Sequence, residues 1–227
     1  MSFENAKEEA AKKAAEFIQS GFVVGLGTGS TASFFIKALI ERVKKGLRIR
    51  TVPSSRHSAD LAQKGGIEVL NINDVSHIDI TVDGADEVDP KKRMIKGKGG
   101  AHVREKILAS ASREMVVIID ESKLVKQLGS KEKLPVELLF YGAPSTRQKI
   151  ETLGFQGKWR MSDDGTLFIS ENGNLIFDIA FEMPPQNIEA VHEKLKHIPG
   201  VIDTGLCIGL AGRVVIGHAD GSVKIWN

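Results

Sequence analysis

The chain has 227 residues, with 31 Lys and Arg against 29 Asp and Glu and a formal net charge of +2. That length suits one large domain or two modest ones, and so small a charge gives no global field favouring nucleic acid. A single cysteine, Cys207, excludes an intrachain disulfide and any cysteine-built metal site, and it fits a reducing compartment.

Residues 4–19 are predicted as an amphipathic helix, with Ala10, Ala14, Phe17 and Ile18 at helical spacing and Ser20-Gly21 ending it. The opening Met1-Ser2-Phe3-Glu4-Asn5-Ala6-Lys7 lacks the apolar core of a signal peptide, and no apolar run reaches membrane-spanning length. The expected location is the cytoplasm. An apolar strand at 22–26, the loop Gly27-Thr28-Gly29-Ser30-Thr31 and a helix at 32–43 follow. Strands are predicted at 48–52, 67–70, 78–82 and 115–119, and helices at 55–64 and 100–113. Repeated strand–helix units with fully apolar strands predict an α/β, Rossmann-like, mostly parallel sheet covered by helices.

From about residue 134 the rhythm changes to strand, helix, two strands, helix, strand. That βαββαβ order is the ferredoxin-like pattern. The expected organisation is therefore a catalytic α/β domain of 1–130 plus 206–227, with a small α+β lid or interface domain at 131–205 inserted in it. Strands at 213–218 and 222–226, joined at Asp220-Gly221, predict a closing hairpin.

Two strand ends carry the chemistry. At the first, glycines let the backbone approach a ligand, free amides at the helix start favour an anion, and Thr28, Ser30 and Thr31 add hydroxyls. A phosphate would fit; so would a plain turn with Ser30 or Thr31 as N-cap. The loop lacks both the P-loop ending and the Gly-x-Gly-x-x-Gly spacing, which disfavours a nucleotide. At the second, Asp83-Gly84-Ala85-Asp86-Glu87 follows an apolar strand, where ligands of open α/β sheets bind. Asp83 and Asp86 could hold sugar hydroxyls, move protons between oxygens or bind a divalent metal; they could also cap a helix and form a turn. Lys96-Gly97-Lys98-Gly99-Gly100 could steady an oxyanion, although by itself it reads as a flexible basic loop. Glu105 alone reads as surface decoration, and Lys123 after the strand 115–119 reads equally well as part of a helix start.

Together the blocks Gly25-Leu26-Gly27-Thr28-Gly29-Ser30-Thr31-Ala32, Val82-Asp83-Gly84-Ala85-Asp86-Glu87, Lys96-Gly97-x-Gly99, Arg104-Glu105-Lys106-Ile107 and Asp120-x-Ser122-Lys123 resemble ribose-5-phosphate isomerase, type A. The resemblance runs nearly end to end, in order and at similar spacing. It implies a cofactor-free, metal-free aldose–ketose isomerase of the pentose phosphate pathway. It implies Glu105 as the base at C2 and C1, Asp83 and Asp86 as handlers of sugar oxygens, and Lys96 as the partner of an enediolate. Thr28, Gly29, Ser30, Thr31, Gly84, Ala85, Gly97, Lys98, Gly99, Lys123 and, less securely aligned, Lys7 are then substrate-binding positions. The partner expected is a small sugar phosphate, with a homodimer or homotetramer as the assembly. Lys98 departs from the family's Lys-Gly-Gly-Gly loop and puts the loop geometry in question, because a side chain there disfavours positive φ. The alternatives are a related sugar-phosphate deaminase or lactonase, which would enlist a histidine such as His102, or a non-catalytic sugar-phosphate sensor, which would carry a DNA-binding segment.

Overall fold

The computed structural model describes residues 3–227. In chain order its strands are β1 (Val23–Leu26), β2 (Arg50–Pro53), β3 (Glu68–Val69), β4 (Ile80–Asp83), β5 (Glu87–Val88), β6 (Met94–Ile95), β7 (Met115–Asp120), β8 (Leu134–Leu138), β9 (Gly157–Trp159), β10 (Leu175–Ile179), β11 (Val201–Thr204), β12 (Leu206–Cys207), β13 (Ala211–Gly217) and β14 (Val223–Trp226). The helices are α1 (Phe3–Ala15), α2 (Ser30–Lys44), α3 (Arg56–Lys64), α4 (His102–Ser110), α5 (Ala143–Thr152) and α6 (Ile188–Lys196). Two compact units form: one from the described residues through Ala85 with Arg104–Leu124 and Gly209–Asn227, the other from Asp86–Val103 and Val125–Ile208.

The first unit is built on a seven-stranded sheet of order β14-β13-β7-β4-β1-β2-β3. All of its pairings are parallel except the closing β13–β14 hairpin. β1, β4 and β7 are buried along their whole length, as strands covered on both faces must be. Phe35, Ile36 and Leu39 of α2 pack with Val24, Leu26, Val82, Val116 and Ile118 of these strands. The helix α1 buries a stripe of Ala6, Ala10, Ala11, Ala14 and Ala15, small side chains that let its backbone lie close to the sheet. From β1 the chain winds outward through β2 and β3, then returns to lay β4 on the other side of β1. The neighbouring carboxyl ends of β1 and β4 are therefore the topological switch point, where open α/β sheets bind ligands.

The second unit carries a four-stranded antiparallel sheet of order β11-β8-β10-β9, with α5 and α6 as its connections. This is the ferredoxin-like arrangement that the strand–helix rhythm predicts. Val136, Leu138, Phe177 and Ile179 form its core with Ile150 of α5 and Leu195 of α6. Trp159 meets Phe177 edge to face at 5.6 Å. A three-stranded sheet of order β12-β6-β5 completes the unit. These two-residue strands are too short to show a period, and the sequence reading contains none of them. The predicted helix at 100–113 is shorter, because Gly100 at φ +79 lies outside it and Arg113 N–H pairs with the Ile78 carbonyl instead of continuing it.

Candidate active site

In the first unit the loop after β1 is held against the end of β4. Asp83 is wholly buried, and its Oδ1 accepts from the backbone N–H groups of Thr28 at 3.1 Å and Gly84 at 2.7 Å. Gly27 makes this possible: a Cβ there would lie 2.0 Å from Asp83 Oδ1. The loop is tied down from β2 and α3. Thr28 Oγ1 and Ser54 Oγ are 2.7 Å apart, Ser54 donates to the Leu26 carbonyl at 3.0 Å, and Ser58 donates to the Gly27 carbonyl at 2.6 Å.

The N-cap of α2 is Gly29, at φ +110, with no side-chain capping bond. The alternative of a plain turn capped by Ser30 or Thr31 is therefore not what the chain adopts. The hydroxyls at 30 and 31 lie inside the helix, so the first N–H groups of α2 keep their capacity for an anion. Lys7 brings its Nζ to 3.3 Å from Ser30 Oγ, placing a cation at the same helix start. Asp83 itself ends β4 and caps no helix.

Glu105 lies in the first turn of α4 and is only 4 % exposed. A helical glutamate is rarely buried to that degree. Asp120 ends β7 and accepts from the Ser122 N–H at 3.0 Å, which sets the short helical turn Glu121–Lys123 and places Lys123 at this strand end. Glu121 accepts from the Ala219 N–H at 2.9 Å and lies 2.7 Å from His218 Nδ1. The Ala219 amide first, then His218, hold its carboxyl below the usual carboxylate range.

In the second unit Asp86 is held by its N–H to the Ile95 carbonyl at 2.8 Å, and its Oδ2 accepts from the Lys98 N–H at 2.9 Å. Lys96 is buried, with its N–H on the Gly205 carbonyl at 2.8 Å. Gly97 and Gly100 close a turn through a 2.9 Å N–H to carbonyl bond. Gly97 takes φ +106, and a Cβ there would sit 2.8 Å from the His102 ring, so this position needs glycine twice over. The left-handed positions of the turn are 97 and 100; Lys98 has ordinary φ. The departure from the glycine pattern therefore adds no backbone strain. Lys98 Nζ instead reaches Glu132 at 2.9 and 3.2 Å, and this bond raises the lysine pKa. Among the described residues, no three His, Cys, Asp or Glu side chains gather as a metal site.

The family model for ribose 5-phosphate isomerase A (phosphoriboisomerase A) matches residues 50–221. A ribose-5-phosphate isomerase A of Protochlamydia amoebophila is 46% identical over 222 residues, 97% of this chain and 94% of that protein. The chain belongs to the ribose 5-phosphate isomerase A family. Solved structures agree along its whole length. A D-ribose-5-phosphate isomerase in complex with phospho-erythronic acid superposes with a TM-score of 0.95 at 36% identity, covering 100% of both chains. The ribose 5-phosphate isomerase from Plasmodium falciparum gives 0.95 at 34% identity, covering 99% of this chain and 98% of that one.

Within this family member, Ser54, Ser58, Glu87, Glu132, Arg160 and Asp178 support the motif residues, and the sequence reading names none of them in that role. For Ser54 and Ser58 a signal existed: Ser54-Ser55 follows β2 at the same edge as the glycine loop. For Glu87 the signal was its place in the acidic block. It is wholly buried and accepts from three backbone N–H groups, those of Gly129 and Lys131 at 2.6 Å and Glu132 at 2.8 Å. Arg160 and Asp178 had no local signal.

Proposed function

We propose that the chain interconverts ribose 5-phosphate and ribulose 5-phosphate through an enediolate, in the non-oxidative pentose phosphate pathway. The observation that carries this reading is the burial of Glu105 in a chain of this family. A carboxylate withdrawn from water can act as base on a carbon-bound proton.

In this reading Glu105 removes the C2 proton. The C2 electrons form the C1=C2 bond of the enediolate, and a proton moves between O2 and O1. Glu105 then returns its proton to C1. Lys96 and the Gly99 amide of the turn 97–100 offset the charge that develops on oxygen. Asp83, fixed by two backbone amides, and Asp86, fixed by one, take the sugar hydroxyls and assist ring opening. The start of α2, with Thr28, Ser30, Thr31 and Lys7, holds the phosphate, and Lys123 adds a second cation. Phospho-erythronic acid, the ligand of one solved relative, is by name a phosphorylated sugar acid, and it suits a site that takes two anionic ends. His102 is wholly buried behind Gly97, which disfavours a deaminase or lactonase built on it. A cytoplasmic homo-oligomer belongs to the same reading. The exposed run Leu139, Phe140 and Tyr141 supports the oligomer, and the buried lone Cys207 suits a reducing compartment.

The test is turnover of ribose 5-phosphate by the purified chain with a chelator present, beside Glu105→Gln. The wild type forms the ketose, and the variant loses about 10³-fold in kcat with KM little changed. No ketose from the wild type, or near-normal turnover in the variant, would overturn the reading.

A further inference from the structure

We propose that Arg160 is a positioning residue for the reaction: it fixes the peptide planes of the turn 97–100 so that the Gly99 N–H faces away from it as a donor for substrate oxygen. The effect on rate rests on the isomerase reading above; the effect on the turn does not.

Arg160 follows β9 and is itself locked in place. Its N–H donates to the Ile176 carbonyl at 2.9 Å, and its carbonyl accepts from the Phe168 N–H at 3.0 Å. Its guanidinium grips Asp178 with Nε at 3.0 Å and Nη2 at 2.5 Å, a two-pronged ion pair 14% and 15% exposed. This leaves Nη1 aimed at the turn, where it donates to the Gly97 carbonyl at 2.6 Å and the Lys98 carbonyl at 3.1 Å. Phe168 braces the assembly: the guanidinium lies 5.8 Å from its ring centre, and a Cβ on Gly100 would come within 2.6 Å of the same ring.

Two consecutive carbonyls thus point to one cation. In a trans peptide the N–H points opposite to the carbonyl of its own plane. The plane ending in Lys98 is therefore held at both ends, its carbonyl by Arg160 and its N–H by Asp86 Oδ2. The next plane is held at its carbonyl only. Its N–H, on Gly99, is directed away from Arg160 and has no acceptor among the described residues. Glycine at 99 lets that plane rotate readily. A half-turn would present a carbonyl where a donor is needed, and would repel an enediolate. The Arg160 bond to the Lys98 carbonyl opposes that rotation. Lysine cannot replace it, because an ammonium lacks the fork that serves Asp178 and the two carbonyls together.

Arg160→Gln, Arg160→Ala and Asp178→Asn, made in the full chain, test this through kcat and KM taken separately and through backbone amide exchange. Arg160→Gln is expected to lower kcat by about 10²-fold, the scale of one lost oxyanion donor, with KM within about threefold. Exchange at Lys98 and Gly100 should speed up by about tenfold while the β8 and β10 amides keep wild-type protection. Added guanidinium should restore part of kcat to Arg160→Ala. Wild-type kcat with wild-type exchange in Arg160→Gln, or a change confined to KM, overturns the proposal. If Arg160→Gln also loses protection in β8 and β10, Asp178→Asn decides: faster exchange at Lys98 supports the role, and unchanged exchange refutes it. A wild type that forms no ketose would sink the isomerase reading, while the exchange data would still judge the part Arg160 plays in the turn.

Discussion

Gly27→Ala adds one methyl group at a crowded point of the first unit. Its carbon would lie 2.0 Å from Asp83 Oδ1 and 2.1 Å from Cγ. A comfortable contact is about 3.5 Å, so the carboxylate must retreat by about 1.5 Å. That breaks the bonds from the Thr28 and Gly84 amides at 3.1 and 2.7 Å, in a site with no water access to replace them. Each bond to a charged group contributes about 1.5–3 kcal/mol, and overpacking adds about 1–3 kcal/mol, with side-chain rotation recovering part. A net loss of about 4 kcal/mol is expected, or about 10 °C in Tm for a chain of this size. Misplacing Asp83 by more than about 1 Å should also lower kcat about 10²-fold. Differential scanning calorimetry and the ketose assay read the two effects. Gly21→Ala is the control: it replaces a left-handed glycine, at φ +95, and has nothing within 4 Å of the new carbon. It should cost about 1–2 kcal/mol and leave kcat unchanged. If Gly27→Ala keeps wild-type kcat and a Tm like that of Gly21→Ala, the reason given for glycine at 27 is wrong.

Lys98→Gly should change kcat by less than about threefold, and a Lys98–Glu132 double-mutant cycle should give about 1 kcal/mol or less, because the two side chains are 66% and 25% exposed. Folding raises the Lys98 pKa, chiefly through the Glu132 bond, so the lysine's contribution is complete below its unfolded value of about 10.4 and fades as pH climbs through the higher folded value. A coupling that disappears between about pH 7 and pH 9 would contradict this. Glu87→Gln places an amide N–H₂ against backbone donors and should destabilise the second unit by about 3 kcal/mol in chemical denaturation; a loss under about 1 kcal/mol would show that the three amides are satisfied without the charge.

What the sequence made legible followed from local pattern. The apolar runs of β1, β4 and β7 and the glycine loop before α2 sufficed for the parallel sheet, and the later strand–helix rhythm for the antiparallel one. Other features depend on partners distant in the chain. Glu105 looked like surface because its own helix is weakly patterned; only the fold buries it. Asp83 and Asp86 looked like one pair, yet Asp83 is fixed by the β1 loop and Asp86 by the turn at Lys98. By sequence pattern, 86–103 falls within the predicted domain of 1–130 plus 206–227. The structure packs Asp86–Val103 with Val125–Ile208, through two-residue strands that no periodicity could reveal. Arg160 acts on carbonyls, and carbonyls leave no trace in a sequence.

The pairing of β7 with β13 has a consequence for biosynthesis. β7 ends at Asp120, and its partner begins at Ala211, after the whole second unit has been translated. At ribosomal speeds of about 5–20 residues per second, the most apolar strand of the sheet waits on the order of ten seconds with one edge unpaired. An open edge with five apolar residues in a row is the kind that recruits stray strands. The nascent chain is therefore most exposed to misassembly while residues 121–210 emerge, with Met115–Asp120 as the segment at risk.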